Sequence, residues 1–248
     1  MSTSSKPVQQ SLSRWRTWHR WLSLVFGVQL VIWSISGAYM VFFELSFIHG
    51  DHLVKTNHPS LPNSAQIRPV EHVIRAFPRA REVTLQPTLV GGKWIATYEV
   101  FAHRDTFLVD AQSLQPVVFT EADIVAIAKR LYAPSDSAPI TRATLLEHRA
   151  PAEISPSLLP IWQVNFDDFG NSSFYISPTT GELVTKRHSF WRGFDFLWML
   201  HIMDYETRED ITNWLLRSFI LGTGLLSITG IMLLIFTIGR SRGQGAHS

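Results

Sequence analysis

The sequence predicts a membrane protein in which two transmembrane helices flank an extracytoplasmic α+β domain. Two uncharged apolar segments lie near the ends of the 248-residue chain. All acidic residues fall between these two segments. Within that middle region the order helix, strand, strand occurs twice. These observations together predict a fold class of membrane α plus α+β.

Both apolar segments are long enough to cross a membrane. Residues 21–43 and 218–239 contain 23 and 22 residues without a charge, and about 20 apolar residues span a hydrocarbon core roughly 30 Å thick. We therefore predict transmembrane helix 1 over residues 21–48 and transmembrane helix 2 over residues 211–239.

Soluble alternatives exist for both segments. A signal peptide cleaved after residues 36–38 (Ser-Gly-Ala) would account for the first, but the apolar segment continues for five residues beyond that site. A buried helix of a soluble domain would account for the second. The length of that segment and the arginines that follow it favour a membrane helix.

The charge distribution predicts the topology. The 20 Asp+Glu lie between Glu44 and Asp210, and the same region contains 15 Lys+Arg, so its net charge is −5. The charged residues at both ends of the chain are all basic. Because Lys and Arg are retained in the cytoplasm, residues 1–20 and the tail 240–248 are expected there. The overall formal net charge of +2 argues against a nucleic-acid binder.

The middle region is predicted to be one domain over residues 49–190, which opens with a connector. Two related copies are expected, over about 66–118 and 119–186, because Trp94 and Trp162 are 68 residues apart. The predicted helix and two strands cover residues 69–80, 94–100 and 107–110 in the first copy, and 121–132, 161–166 and 174–176 in the second. Residues 191–210 are predicted to form an amphipathic segment at the outer membrane surface, where tryptophan is favoured.

Four segments carry a resemblance to a known family. Residues 159–184 (LPIWQVNFDDFGNSSFYISPTTGELV) are similar to the hairpin of a PepSY domain. Residues 18–24 (WHRWLSL), 200–205 (LHIMDY) and 227–230 (SITG) are similar to helix-end motifs of PepSY-associated transmembrane proteins. Their order and spacing resemble that family over about residues 14–239, here in a short form with two spanning helices.

The resemblance implies a bacterial inner-membrane protein whose central domain is periplasmic. Members are associated with reduction of ferric iron or ferric siderophores, and some hold b-type haem between helices. Larger members have four or more spanning helices. Since two helices are too few to enclose a macrocycle, we predict a homodimer that forms a four-helix bundle.

Three of the ten histidines stand at predicted membrane boundaries and are candidate axial haem ligands: His19, His49 and His201. The absence of cysteine excludes thiolate ligation and covalently attached haem, which leaves histidine as the natural ligand. His201 paired with His49, or with its own symmetry mate, is expected to hold haem on the outer side. His19 and its mate are expected to hold a second haem near the cytoplasm, giving one or two haem b per dimer.

Each of these histidines also has an ordinary interpretation. His19 would contact lipid headgroups, His201 would be an interfacial anchor, and His49 would be a loop residue. The other histidines are expected on solvated surfaces, among them His58, His72, His103, His148, His188 and His247.

Further residues are predicted to support the haem. Arg192 and Arg217 are candidates for pairing with propionates, although Arg217 also suits a helix-end anchor. Asp204 and Tyr205 are candidates for orienting His201 through its second ring nitrogen.

Residues 49–52 (His-Gly-Asp-His) form a possible site for a first-row metal, including the iron to be reduced. A solvated loop is the alternative, because the sequence places no third ligand there.

Two functions are compatible with these features. The favoured one is a haem-b ferric or ferrisiderophore reductase that assists iron uptake. Its electrons would come from quinol or a separate reductase, because no nucleotide-binding loop is present, and a ferrous iron transporter is a possible partner. The alternative is a non-enzymatic PepSY module that restrains a periplasmic peptidase or assists assembly.

Overall fold

A computed structural model describes residues 6–55, 60–62, 67–134 and 138–245. The chain divides into two compact units. The helical unit comprises residues 1–44 and 193–248, and the α+β unit comprises residues 45–192. This arrangement confirms the coarse prediction of long apolar helices on either side of a sheet-containing middle. Parts of the predicted cytoplasmic ends, residues 1–5 and 246–248, lie outside the described residues.

The helical unit is built mainly from two long helices. Helix α1 covers Lys6–Phe42 and helix α6 covers Trp214–Gly245. They include apolar segments long enough to cross a membrane at Ser13–Phe42 and Trp214–Ile238, of which only 11% and 17% are buried. A core helix of a soluble protein is mostly buried, so these exposed apolar surfaces fit a lipid environment.

The ends of these helices differ from the predicted limits for local reasons. The first predicted span continues to residue 48, but α1 ends at Phe42 just before the charged Glu44, and a separate short helix α2 covers Leu45–Ile48. Helix α6 begins later than predicted because Asn213 caps it. The Asn213 Oδ1 accepts a hydrogen bond from the Leu216 amide at 2.8 Å.

Close packing joins α1 to α6. The rings of Phe26 and Phe219 meet edge to face with centroids 5.2 Å apart. A Cβ built on Gly222 would lie 2.1 Å from the Phe26 ring. Gly222 therefore permits an approach between the two helices that a larger residue would prevent.

Helix α5, Ser189–Ile202, begins in the α+β unit and ends in the helical unit. It is shorter than the predicted amphipathic segment over residues 191–210. The remaining residues form a loop organised by Asp204, whose side chain accepts hydrogen bonds from Thr207 and from the amides of Glu209 and Asp210.

The α+β unit contains two antiparallel sheets, each preceded by a helix. Strands pair in chain order within each sheet. The first half comprises α3 (Val70–Ala76), β1 (Ala80–Val90), β2 (Lys93–Ala102) and β3 (Asp105–Asp110). The second comprises α4 (Glu121–Leu131), β4 (Ile140–Leu146), β5 (Ile161–Phe166), β6 (Ser173–Ile176) and β7 (Leu183–Arg187). The sheets have three and four strands, and their origin as two copies of one unit stays a prediction.

Edge strands account for most differences from the predicted pattern. Strands β1, β4 and β7 have no counterpart in the predicted pattern; they lie at sheet edges and are largely half-buried or exposed. Such strands lack the clear apolar alternation of a strand with one buried face. Helix α3 ends at Ala76, not at residue 80, because Pro78 follows and disfavours helix in the residue before it.

One core connects both sheets. Helix α4 buries Ile124 and Ala128 against Leu108 of the first sheet and Phe174 of the second. A capping box starts this helix: the Thr120 hydroxyl accepts a hydrogen bond from the Asp123 amide, and the Asp123 carboxylate accepts one from the Thr120 amide. The core places the second sheet so that its β5–β6 turn lies near the start of α5.

Candidate functional site

His201 lies near the end of α5 and contacts α1 through its ring. Its Nδ1 is 2.7 Å from the Ser36 Oγ, and the same hydroxyl donates to the Ile32 carbonyl at 2.7 Å. A serine hydroxyl has a single proton to donate. When that proton goes to a backbone carbonyl, of Ile32 at 2.7 Å or of Trp33 at 3.2 Å, the Ser36 oxygen accepts from the Nδ1–H tautomer of His201. In that tautomer the neutral ring carries its free lone pair on Nε2, as a metal ligand requires.

Aromatic side chains surround the His201 ring. Trp198 stacks nearly parallel to it at a centroid distance of 6.4 Å, and Trp33 lies at the same distance on a tilted plane. Burial lowers the pKa of His201 below its usual value, which favours the neutral form. Among the described residues, none is hydrogen-bonded to its Nε2.

His19 repeats this arrangement at the other end of the helical unit. Its Nδ1 is 2.9 Å from the Thr229 Oγ1 on α6, and that hydroxyl donates to the Leu226 carbonyl at 2.8 Å. With that hydroxyl proton on the Leu226 carbonyl, the Thr229 oxygen accepts from the Nδ1–H tautomer of His19, and this tautomer carries its lone pair on Nε2. A Cβ on Gly230 would lie 3.2 Å from the His19 Cε1, so the ring sits directly over the small residues of α6.

The two histidines mark two levels along α1. His19 and Ser36 are 17 positions apart on this helix, which corresponds to about 25 Å at 1.5 Å per residue. In the described part of the helical unit, each level has one histidine. Within the described residues of this unit, neither histidine therefore has a second imidazole at its own level.

Side chains from α1 and from the residue before α6 bind the backbone at the end of α5. The Gln29 Nε2 donates to the Leu200 carbonyl at 3.0 Å, and the Trp33 Nε1 donates to the His201 carbonyl at 2.7 Å. Asn213 donates to the Ile202 carbonyl at 2.9 Å. These bonds satisfy carbonyls that a helix end leaves unpaired and fix the backbone that carries His201.

A family model described as the PepSY-associated TM region matches residues 16–247. The chain belongs to the PepSY-associated transmembrane family. The match confirms the resemblance and includes all but the first three residues of the Ser13–Phe42 segment and the whole of the Trp214–Ile238 segment. Together with those apolar helices it identifies a membrane protein. No curated protein and no solved structure is significantly similar to the chain.

No local sequence pattern indicates the hydroxyl partners of the two histidines. Ser36 and Thr229 are single polar residues among many small residues of spanning helices, and only the helix pairing brings them to the histidines. Gln29 was visible as the one strongly polar side chain of the first apolar segment. That property is a usable signal, because a buried amide in a spanning helix needs a partner.

The prediction that Asp204 and Tyr205 orient His201 is wrong. The Asp204 carboxylate accepts hydrogen bonds from its own loop, and hydrogen bonds from the Thr207 hydroxyl and the Asp210 amide lower the pKa of this carboxyl. Tyr205 is exposed. The ring partner of His201 is Ser36.

Arg192 has partners within the α+β unit. Its guanidinium contacts the Glu153 carboxylate at 2.6 and 3.1 Å and donates to Asn171 and Ser173. Burial alone would raise the pKa of Glu153, but hydrogen bonds from Arg192 and Tyr175 outweigh it and lower that pKa. Binding of a haem propionate by Arg192 stays a prediction. In the structure, the Arg192 guanidinium contacts Glu153, Asn171 and Ser173 within the α+β unit.

Arg217 lies in the first turn of α6 with an exposed side chain. A lipid headgroup or a propionate can therefore reach its guanidinium, and both predicted roles stay open.

His49 lies just after α2 and is exposed, in the α+β unit. Its pairing with His201 stays a prediction. In the neighbouring residues, Asp51 forms an ion pair with Lys186 at 2.9 Å, and His52 stacks on Phe47 at 4.6 Å. Across the described residues, no group of three His, Asp or Glu side chains is placed to hold a metal ion.

The surface prediction for His188 is wrong. His188 is only 2% exposed, and its Nε2 donates to the carbonyls of Phe47 and Ile48, each at 3.1 Å. Burial lowers the pKa of this ring, so the neutral form is the donor. The contacting carbonyls are about 140 positions away in sequence, which is why a local pattern could not reveal them.

The remaining histidines follow the surface prediction where they are described. His72, His103 and His148 are exposed. His58 and His247 lie outside the described residues.

Proposed function

We propose that this PepSY-associated transmembrane protein is a haem-b protein of the bacterial inner membrane. In this proposal it moves electrons outward to ferric iron or a ferric siderophore on the periplasmic side and so supports iron uptake. The observation that carries the proposal is that His19 and His201 have the same hydrogen-bonding arrangement. Each ring is anchored through Nδ1 to a hydroxyl, and each keeps Nε2 available as a ligand.

The residues present fit a b-type haem in a dimer. Haem b is held by axial imidazoles within apolar walls, and Trp33 and Trp198 supply such walls beside His201. A second copy would bring a second His201 to one level and a second His19 to the other. Two chains then provide four spanning helices, with Arg217 a candidate for propionate contact.

Bound haem would supply one-electron redox chemistry, and the chain's own residues would determine where it occurs. Ser36 and Thr229 hold the imidazole tautomers, and the tryptophans exclude water from the outer level. Because the two levels are about 25 Å apart, a single hop between the sides of the membrane is inefficient. A redox group at each level, or haem together with membrane quinol, would shorten each step.

The electron donor and the product follow from the same proposal. The chain lacks a glycine-rich nucleotide loop, so quinol or a separate reductase is the proposed donor. The ferrous iron released would pass to a transporter in the same membrane.

An absorption spectrum of the purified full-length protein tests the proposal. After expression with sufficient haem, we expect a b-type spectrum that changes on addition of dithionite. His201→Ala should remove or shift one haem signal, whereas His72→Ala, which changes an exposed histidine of α3, should leave the spectrum unchanged. A protein without any reducible haem band would refute the reductase proposal and favour the non-enzymatic PepSY module.

A further inference from the structure

The turn between β5 and β6 exposes a large aromatic side chain. Phe169 is 92% exposed, more than any other large hydrophobic residue in the described part of the chain. Isolated apolar residues on a surface are common. Phe169 differs from an isolated surface residue in the turn that holds it and in the chain segments beside that turn.

Hydrogen bonds to Asp168 organise the turn that carries Phe169. The Asn171 amide donates to the Asp168 carbonyl at 3.0 Å, and the Ser172 amide donates to the Asp168 Oδ1 at 2.7 Å. The Tyr132 hydroxyl, from the end of α4, donates to the other carboxylate oxygen at 2.9 Å. Phe169 is therefore held away from the protein by a hydrogen-bonded turn.

The same turn is attached to the point where the chain leaves the α+β unit for the second spanning helix. The backbone amide and the hydroxyl of Ser189, the first residue of α5, both donate to the Gly170 carbonyl, at 2.7 and 2.9 Å. A Cβ on Gly170 would lie 3.4 Å from the His188 Cβ. The turn is thus in direct contact with the start of α5.

The first connection to a spanning helix reaches the same corner. His188 donates to the carbonyls of Phe47 and Ile48. Phe47 is five residues after Phe42, the last residue of α1, so at most about 18 Å of chain separates them. Both connections of the α+β unit to the spanning helices therefore converge beside the Phe169 turn.

We propose that the Phe169 turn is a membrane contact of the α+β unit, with the Phe169 ring inserted into the interfacial region of the leaflet on that side. This corner is the part of the α+β unit that the chain connects to α1 by at most about 18 Å, so the proposal places it at the bilayer surface. An aromatic ring held outward there removes its apolar surface from water by entering the headgroup and acyl boundary. This contact is independent of haem binding.

The chain offers a matched control at the opposite end of the same sheet. Val118 is 79% exposed. The ring of its neighbour Phe119 lies against Gly181, in the turn that follows β6, whereas the Phe169 turn precedes β6. Strand β6 thus separates the exposed Phe169 turn from the segment that carries the exposed Val118. We expect only Phe169 to lie at the membrane.

Site-directed spin labelling tests this contact on the full-length protein, which has no native cysteine. Phe169→Cys and Val118→Cys would each carry a nitroxide label in phosphatidylcholine nanodiscs. We expect the label at 169 to collide readily with oxygen and several-fold less often with a water-soluble nickel chelate than the label at 118. Unchanged thermal unfolding of both variants would show that folding is intact.

Two outcomes would overturn the proposal. Equal access of the nickel chelate to both labels would show that Phe169 faces water. A label at 169 shielded from oxygen as well as from the chelate would show that protein, such as a second copy of the chain, covers the turn.

Discussion

Two hydroxyl groups face the Nδ1 atoms of the two histidines in the helical unit. Ser36 and Thr229 each have a backbone carbonyl of their own helix within reach of their proton, and a hydroxyl that donates to this carbonyl accepts from the Nδ1–H tautomer of the histidine it faces. A metal-bound imidazole depends on such a partner for its orientation and basicity. The proposed haem site is therefore sensitive to residues that would never touch the iron.

Ser36→Ala tests this dependence. Loss of the hydroxyl leaves the His201 Nδ1 without its partner, so haem at the outer level should bind about 10–100-fold more weakly and show an altered reduced spectrum. Ser34→Ala is the control, because Ser34 bonds only to the Leu30 carbonyl of its own helix and is exposed. Identical haem titrations and spectra for the two variants would remove Ser36 from the proposed site.

Glu153 provides a second prediction at this scale, concerning stability and pH. Glu153→Gln removes the charge that Arg192 and Tyr175 contact. We expect a loss of about 2 kcal/mol at pH 7, less than for a fully buried pair because Arg192 is partly exposed. Glu147→Gln, at an exposed position, should have no effect.

The pH dependence of this effect has a definite sign. Because the pKa of Glu153 is lowered in the folded protein, its contribution is fully present above the ordinary glutamate pKa and is lost as the pH falls through the lowered value. Thermal unfolding of wild type and Glu153→Gln should therefore converge in acid. A constant difference from pH 7 down to pH 3 would contradict this explanation.

At the scale of elements, small residues determine how α1 meets α6. Gly222→Ala places a methyl group against the Phe26 ring, and we expect it to destabilise the helix pair by about 1–3 kcal/mol through overpacking. Gly224→Ala is the matched control, since a Cβ there has no neighbour within 4 Å. Thermal unfolding in detergent measures both, and equal midpoints for the two variants would contradict the packing argument.

The elements differ in how well the sequence predicted them. Helix α4 was predicted nearly in full, because its apolar periodicity and its acidic first turn are local signals. Edge strands such as β1 were missed, since partial exposure blurs their alternation. The end of α1 was placed too late because apolar residues continue beyond Phe42 while the helix stops there.

At the scale of the whole molecule, the proposed four-helix haem site is formed by two chains. Native mass spectrometry from nanodiscs should show a dimer that carries one or two haem groups. His19→Ala should lower the haem content of a two-haem dimer while leaving the dimer intact. A monomer that keeps its haem would contradict the twofold arrangement and would require both axial ligands from one chain.

The sequence by itself determined the membrane class, the two spanning segments, the family and the general location of His19 and His201. These features depend on composition, apolar length and short motifs, which are properties of neighbouring residues. Only the tertiary structure showed that Ser36 faces His201 across 165 positions and that Thr229 faces His19 across 210. Such contacts depend on the rotation and depth of one helix against another, and no local pattern contains that information.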